Sequence, residues 1–123
     1  MITFPKDTSR LRWTRHIKNK MVFYHLSAAQ IIRIFRRPDR IEEGIAPETM
    51  AAVQAKKSIS AHKPKHEELW LMYQKKPNKK IILISTWRYP GKTKPGQTVP
   101  IPSEIVAELM QENWKIDGLI QKS

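Results

Sequence analysis

One stretch of the sequence decides the fold: Lys79-Lys80-Ile81-Ile82-Leu83-Ile84-Ser85-Thr86-Trp87-Arg88-Tyr89-Pro90-Gly91. Residues 81–84 are apolar on both faces of a strand, which predicts a strand in the middle of a sheet covered on both sides. The stretch ends in a guanidinium between two aromatic rings, just before a Pro-Gly break. Because guanidinium groups bind phosphates and aromatic rings stack on bases, this strand end is a candidate phosphate and base-stacking site.

The composition predicts a single globular domain. The chain of 123 residues is 40% hydrophobic, which is enough for one packed core. It has no cysteine, no apolar segment of a secretory signal, and no apolar run near the ~18 residues of a membrane span. We therefore expect a cytoplasmic protein without membrane contact, with residues 1–9 as a flexible arm and residues 10–123 as one domain.

Charge is the strongest signal in the composition. Lys and Arg number 23 against 11 acidic residues, for a net charge of +12. Residues 1–100 hold 21 of the basic side chains and 7 acidic ones, whereas residues 101–123 hold 2 and 4. A basic body interleaved with aromatic rings favours nucleic acid as the partner. The alternative is a cationic surface with no specific partner.

Periodicity and turn residues predict the element order β-α-α-β-β-β-β-α. This is an α+β fold with a mostly antiparallel sheet, two N-terminal helices and one C-terminal helix packed on it. A first helix is expected from about His16 to Tyr24 with Thr14 as its cap, and a second begins at a capping box of Ser27 and Gln30. The last helix, from about Ser103, is expected to bury Ile105, Val106, Leu109, Met110 and Trp114.

Four strands are predicted between the second and the last helix. They cover residues 40–45, 49–57 and 68–74, and the stretch of residues 79–91 quoted above. Residues 50–55 also have helical propensity, so a helix is the alternative for the second of these strands. Residues 58–66 are polar and basic and are predicted to form a loop.

Several stretches carry a family resemblance: Trp13-Thr14-Arg15-His16-Ile17-Lys18-Asn19-Lys20-Met21, Leu26-Ser27, Arg37-Pro38, Arg40-Ile41-Glu42-Glu43-Gly44 and Trp87-Arg88-Tyr89. Over about residues 11–90, they resemble the RelE/ParE-like superfamily of small bacterial toxins, especially its BrnT-like branch of short domains. The resemblance implies a RelE-like fold, cleavage of RNA, commonly mRNA on the ribosome, and a cognate antitoxin protein that covers the site.

The resemblance also implies where the catalytic residues lie. His16 and Lys20 occupy the places where this branch has a histidine and a basic residue, although arginine is commoner than lysine at the second place. Arg88 and Tyr89 lie near the end of the last strand, where these toxins often have a functional Arg, Tyr or His.

The residues themselves leave two interpretations of each candidate. His16 and Lys20, at i and i+4, share a helix face and suit an acid or base beside an ammonium group; alternatively, His16 caps its helix. Arg88, on the face expected for Ile82, Ile84 and Thr86, binds a phosphate or pairs with Glu42 or Glu43. Trp87 and Tyr89 point to the opposite face, where one stacks on a base or Trp87 belongs to the core.

Basic residues around these candidates predict a track for phosphates. The predicted nucleic-acid contacts are Arg15, Arg40, Lys56, Lys57, His62, Lys63 and His66. Lysines that protect a strand edge are the alternative. His62 and His66 have a spacing that zinc can use, but no cysteine or carboxylate set completes a site, so no metal and no cofactor is predicted.

The leading hypothesis from the sequence is a metal-independent endoribonuclease that acts through the 2′-OH, as the toxin of a toxin–antitoxin pair. Arg88 and Lys20 would stabilise phosphate charge, while His16 or Tyr89 would transfer protons. The alternative is a non-catalytic module on the same fold that binds RNA or DNA.

Overall fold

A computed structural model describes residues 6–60 and 63–114, without the side chains of residues 58–60, 63 and 64. In this part, the chain has the predicted element order and forms an α+β fold with one five-stranded mixed sheet. The elements are β1 (Leu11–Trp13), α1 (Arg15–Tyr24), α2 (Ala28–Arg36), β2 (Arg40–Glu43), β3 (Thr49–Ser60), β4 (Lys63–Lys75), β5 (Ile81–Pro90) and α3 (Ser103–Gln111).

The strands follow one another across the sheet in the order β1-β5-β4-β3-β2. The β1–β5 pair is parallel and the other pairs are antiparallel. The strand in the middle of the sheet is therefore β4, whereas the apolar run of residues 81–84 belongs to β5 beside it. Both faces of β5 are covered as predicted, since Ile81, Leu83 and Ile84 are buried.

The core has two layers, one on each face of the sheet. On what we call the α2 face, α1 and α2 pack over the sheet with a cluster that includes Ile17, Ile31, Ile34, Leu71 and Leu83. On the α3 face, Ile105 and Leu109 of α3 pack over the stacked rings of Trp70 and Trp87. Met110, predicted to be buried, is 45% exposed because it lies about 100° round the helix from Leu109.

Predicted caps determine where α1 and α2 begin. The Thr14 hydroxyl accepts a hydrogen bond from Ile17 N–H and donates to carbonyls of Leu83 and Ile84, so the cap also attaches α1 to β5. Ser27 and Gln30 form the predicted capping box of α2. α1 lies beside β5 where β1 has ended, and its residues therefore reach both layers of the core.

A β-bulge in β5 changes which residues share a face. Tyr73 of β4 pairs with Leu83 and Met72 pairs with Ser85, which leaves Ile84 as an extra residue in β5. The prediction that Arg88 shares a face with Ile82 and Ile84 is therefore wrong. Arg88 lies opposite Leu69 on the α2 face, and those two isoleucines pack on the α3 face.

Strands β3 and β4 continue through most of the predicted loop. Residues 49–57 form a strand and not a helix. The pairing continues to Ser60 and Lys63, so the prediction of a loop is wrong for residues 58–60 and 63–66. In this segment the backbone N–H and C=O groups of the two strands hydrogen-bond to each other. Polar side chains are compatible with such a pairing, because a two-stranded hairpin can face solvent on both sides. We call residues 56–60 and 63–66 the ribbon.

The ribbon projects beyond the rest of the sheet. β2 pairs with β3 only between residues 50 and 53, and β5 pairs with β4 only from Glu67 onwards. Past those points, among the described residues, β3 and β4 pair as strands only with each other. Gln54 and Ala55 of β3 still hydrogen-bond to Arg33, Arg37 and Asp39, and Gly91 N–H donates to the His66 carbonyl. None of the described helices has the length and apolar character needed to cross a membrane.

Candidate nucleic-acid interface and buried histidine site

His16 and Lys20 lie side by side on α1, as their spacing predicts, and both are buried. His16 Nε2 is 2.8 Å from the Ser85 hydroxyl oxygen, and His16 Nδ1 is 3.6 Å from Glu108 Oε1 of α3. Lys20 Nζ lies 2.8 Å and 3.1 Å from the two carboxylate oxygens of Glu108. The cap of α1 is Thr14, so the alternative role of His16 as a helix cap is wrong. His16 instead connects α1 to β5 and α3.

The surroundings of His16 favour the neutral form of its side chain. Burial is the main cause of a pKa below the ordinary value, and Lys20 lowers the pKa further, while Glu108 opposes both. A neutral imidazole can accept a proton, which is the chemistry expected of a general base.

The surface next to His16 does not favour a phosphate group. A depression of about 250 Å³ is lined by His16, Asn19, Lys20, Glu108, Gln111 and Glu112. Among the described residues that line it, the one cation, Lys20, is already paired with Glu108, and Glu112 adds a second negative charge. Ser85 is fully buried, so its hydroxyl is not accessible as a nucleophile.

Arg88 hydrogen-bonds to backbone carbonyls at the C-terminal end of α1. Its Nε donates to the Tyr24 carbonyl at 2.6 Å and its Nη2 donates to the His25 carbonyl at 3.1 Å. Its Nη1 lies 2.8 Å from Glu67 Oε2, so Arg88 does pair with a glutamate, but Glu42 or Glu43 as the partner is wrong. The strand register places Glu67 beside Arg88 on the α2 face, and register is not readable from composition.

Arg40 holds the segment between β5 and α3 against the sheet. Its guanidinium donates to Glu42 at 2.7 Å and to the Thr93 hydroxyl at 2.6 Å, and lies 5.6 Å from the Trp70 ring centre. The buried carboxylate of Glu68 accepts hydrogen bonds from Thr93 N–H, the Thr93 hydroxyl and Trp70 Nε1. The hydrogen bond from Arg40 also lowers the pKa of Glu42. Arg40 is thus part of an internal polar network.

The four predicted catalytic residues lie in three separate places. His16 and Lys20 contact Glu108, Arg88 contacts Glu67 and the end of α1, and Tyr89 lies half-buried on the α3 face. No hydrogen bond or ion pair within the described residues joins Arg88 to His16 or Lys20. Trp87 is a fully buried core residue, as its alternative interpretation expected.

The base of the ribbon carries the predicted lysines on both of its faces. Lys57 lies directly opposite His66, while Lys56 lies opposite Glu67 on the other face. A depression of about 220 Å³ at this point is lined by Ala55, Lys56, Lys57, His66, Glu67, Gly91 and Lys92. Among the described residues, no ion pair involves Lys56, Lys57, Lys65 or Lys92.

Of the three other predicted contacts, the structure describes one in full, one by its backbone alone and one not at all. Arg15 is exposed at the first position of α1. The backbone of Lys63 belongs to β4, but its side chain lies outside the described part. His62 lies outside the described residues altogether. Within the described part, no three His, Asp or Glu side chains form a cluster that could hold a metal ion.

Five basic residues of these surfaces were not among the predicted contacts: Arg33, Arg36, Arg37, Lys65 and Lys92. Arg33, Arg36 and Arg37 line a depression of about 390 Å³ with Ala29 and Ile32. Lys92 adjoins the ribbon only because β5 ends beside it. The spacing of the arginines places them on the outer side of α2, and that spacing is the signal by which a surface could have been found.

The chain matches no protein-family model, and comparisons with curated proteins and with solved structures give no significant match.

Proposed function

We propose that this protein binds nucleic acid, and that the ribbon makes the main contact. The observation that carries the proposal is a two-stranded ribbon that projects from the sheet, with lysines at its base that form no ion pair among the described residues. A lysine side chain without a carboxylate partner can neutralise a phosphate and release its counterions. Arg40 and Arg88, in contrast, form hydrogen bonds within the protein and stabilise the fold that carries this surface.

The ion pair between Arg88 and Glu67 also favours the binding of anions at the ribbon. Glu67 is an acidic side chain at the base of the ribbon, directly opposite Lys56. Because Arg88 pairs with Glu67 at 2.8 Å, the carboxylate charge is balanced from within the protein. Lys56 is therefore available to bind an external anion.

The proposal is tested by measuring affinity against salt. Fluorescence anisotropy of labelled 24-nucleotide RNA and DNA, single-stranded and duplex, is recorded for the unaltered protein. The same is done for a variant with Lys56→Gln, Lys57→Gln and Lys65→Gln. We expect the slope of log affinity against log salt to fall by about 0.7 to 0.9 for each lysine that contacts a phosphate.

A matched control removes three charges from the opposite end of the sheet. Lys75, Lys76 and Lys79 are exposed at the end of β4 and in the turn that follows it. Replacing all three with Gln changes the net charge equally and should leave the slope almost unchanged. Equal losses in both variants, or no binding at low salt, would overturn the proposal.

The second candidate function is the endoribonuclease activity of a RelE/ParE-like toxin in the cytoplasm, inhibited by a cognate antitoxin. The observation that favours it is the neutral imidazole of His16 next to the Lys20 ammonium, on a chain with the element order of the resemblance. Cleavage through the 2′-OH requires a base, an acid and a cation for the phosphate, and uses no metal or cofactor in this proposal. RNA, on or off the ribosome, would be the substrate.

Expression without a partner protein tests this second function. Growth should stop and transcripts should be cleaved, and His16→Gln should abolish both effects while the variant stays folded by circular dichroism. Intact transcripts and normal growth at an expression level confirmed by blotting would exclude it.

A further inference from the structure

The surface that these functions leave unexplained is the row of arginines on α2. We propose that the ligand is a B-form DNA duplex, with the ribbon in its major groove and Arg33, Arg36 and Arg37 on the adjoining phosphates. This inference rests on the proposed binding of nucleic acid and adds both the class of ligand and a second contact surface.

The dimensions of the ribbon suit a major groove. Its two strands extend five and four residues past the sheet, which at ~3.3 Å per residue is about 13 to 17 Å. The major groove of B-form DNA is about 12 Å wide and about 8.5 Å deep and admits a two-stranded β-ribbon. The major groove of A-form RNA is too narrow for side chains to read. The ribbon is therefore expected to distinguish DNA from RNA duplexes.

The arginines lie on the same side of the protein as one face of the ribbon. Gln54 Nε2 donates to the carbonyls of Arg33 at 3.2 Å and Arg37 at 2.9 Å, which places the end of α2 against β3. Lys56 follows Gln54 by two residues and so projects from the same face of the strand. Lys65 precedes Glu67 by two residues in β4 and so shares this face; it is exposed and continues the row of positive charge.

The arginine side chains are available to a ligand. All three are exposed, and no ion pair among the described residues involves them. Ala29 and Ile32 line the depression beside them with apolar atoms, along which arginine stems can lie while the guanidinium groups stay in solvent. Arginine binds phosphate oxygens in a bidentate manner, so three of them suit a DNA backbone next to an occupied groove.

A structural role of the arginines makes a different prediction. Cations in the last turn of a helix interact favourably with the helix dipole, and Arg33 and Arg36 lie in the last turn of α2. If this were their whole role, their removal would lower thermal stability and leave the affinity for DNA unchanged.

The experiment compares ligands and variants with the full chain. Affinities are measured for a 24-base-pair DNA duplex, the RNA duplex of the same sequence and single-stranded RNA. The unaltered protein should bind the DNA duplex at least tenfold more tightly than the RNA duplex. Arg33→Gln with Arg36→Gln should reduce the salt slope for DNA by about 1 to 2. The control pair, Arg10→Gln with Arg12→Gln, removes two exposed charges near β1 and should not reduce the slope.

Chemical protection locates the ribbon on the duplex. Guanine N7 lies in the major groove, so bound protein should protect this atom from methylation by dimethyl sulfate. Equal or tighter binding of single-stranded RNA, or unprotected N7 atoms, would overturn the duplex inference while leaving nucleic-acid binding intact. Loss of slope in the ribbon variant but not in the α2 variant would overturn the second surface alone. Absence of all binding would overturn both the inference and the proposed function.

Discussion

His16 Nε2 lies 2.8 Å from the hydroxyl oxygen of Ser85, and this contact joins the first turn of α1 to a fully buried position of β5. The two residues are 69 positions apart in the chain. Ser85 faces α3 because the bulge at Ile84 turns it to that side of the sheet. The contact therefore depends on a local irregularity in β5 as much as on the position of α1.

Ser85→Ala should destabilise the protein by about 1 to 3 kcal/mol, because it leaves a buried imidazole nitrogen without its hydrogen-bond partner. Urea denaturation followed by circular dichroism measures the change in the free energy of unfolding. Ser9→Ala is the matched control, since Ser9 is exposed and its substitution should stay within about 0.5 kcal/mol. An equal effect of both substitutions would show that the contact contributes nothing.

The lowered pKa of His16 predicts a dependence of stability on pH. The unfolded chain has the ordinary histidine pKa of 6.5, and the folded chain has a lower one, so the unfolded state binds the proton more readily. The contribution of His16 is complete above pH 6.5 and is lost as the pH falls through that value towards the folded pKa. His16→Gln should show a smaller fall in the free energy of unfolding between pH 7.5 and pH 5. Parallel curves for both proteins would contradict this expectation.

Arg88→Lys separates the structural role of Arg88 from phosphate binding. Lysine keeps the charge opposite Glu67 but cannot donate to the Tyr24 and His25 carbonyls together, so we expect a loss of about 1 to 3 kcal/mol. DNA and RNA affinity of the folded variant should be unchanged. Normal stability with weakened RNA binding would instead place Arg88 on a phosphate. Lys76→Arg, which keeps the charge of an exposed residue in the turn after β4, is the matched control and should change neither stability nor affinity.

Thr93→Val should loosen the segment between β5 and α3. Valine has the shape of threonine but no hydroxyl, so Arg40 loses an acceptor and the buried Glu68 loses a donor. We expect a cost of about 1 to 3 kcal/mol and faster amide exchange over residues 92–99. Thr98→Val, at an exposed position of the same segment, should change neither quantity. Unchanged exchange in the Thr93 variant would show that the apolar contacts of Val99 suffice to hold the segment.

Local signals in the sequence determined most of the fold. The caps at Thr14 and Ser27 and the two-faced apolar run of β5 depend on neighbouring residues alone, so the element order and the starts of α1 and α2 were predictable. The same short range explains why His16 and Lys20 were correctly placed on one helix face. RelE-like membership and RNA cleavage remain predictions that depend on the resemblance.

Only the tertiary structure decided what those residues touch. The bulge at Ile84 reverses the faces of β5, the register brings Glu67 to Arg88, and the packing of α3 brings Glu108 to Lys20. Each of these contacts joins residues far apart in the chain, and a shift of one position in register would exchange the faces of a strand. The ribbon was missed for a related reason, since its strands are stabilised by pairing with each other rather than by a hydrophobic pattern that a single strand displays.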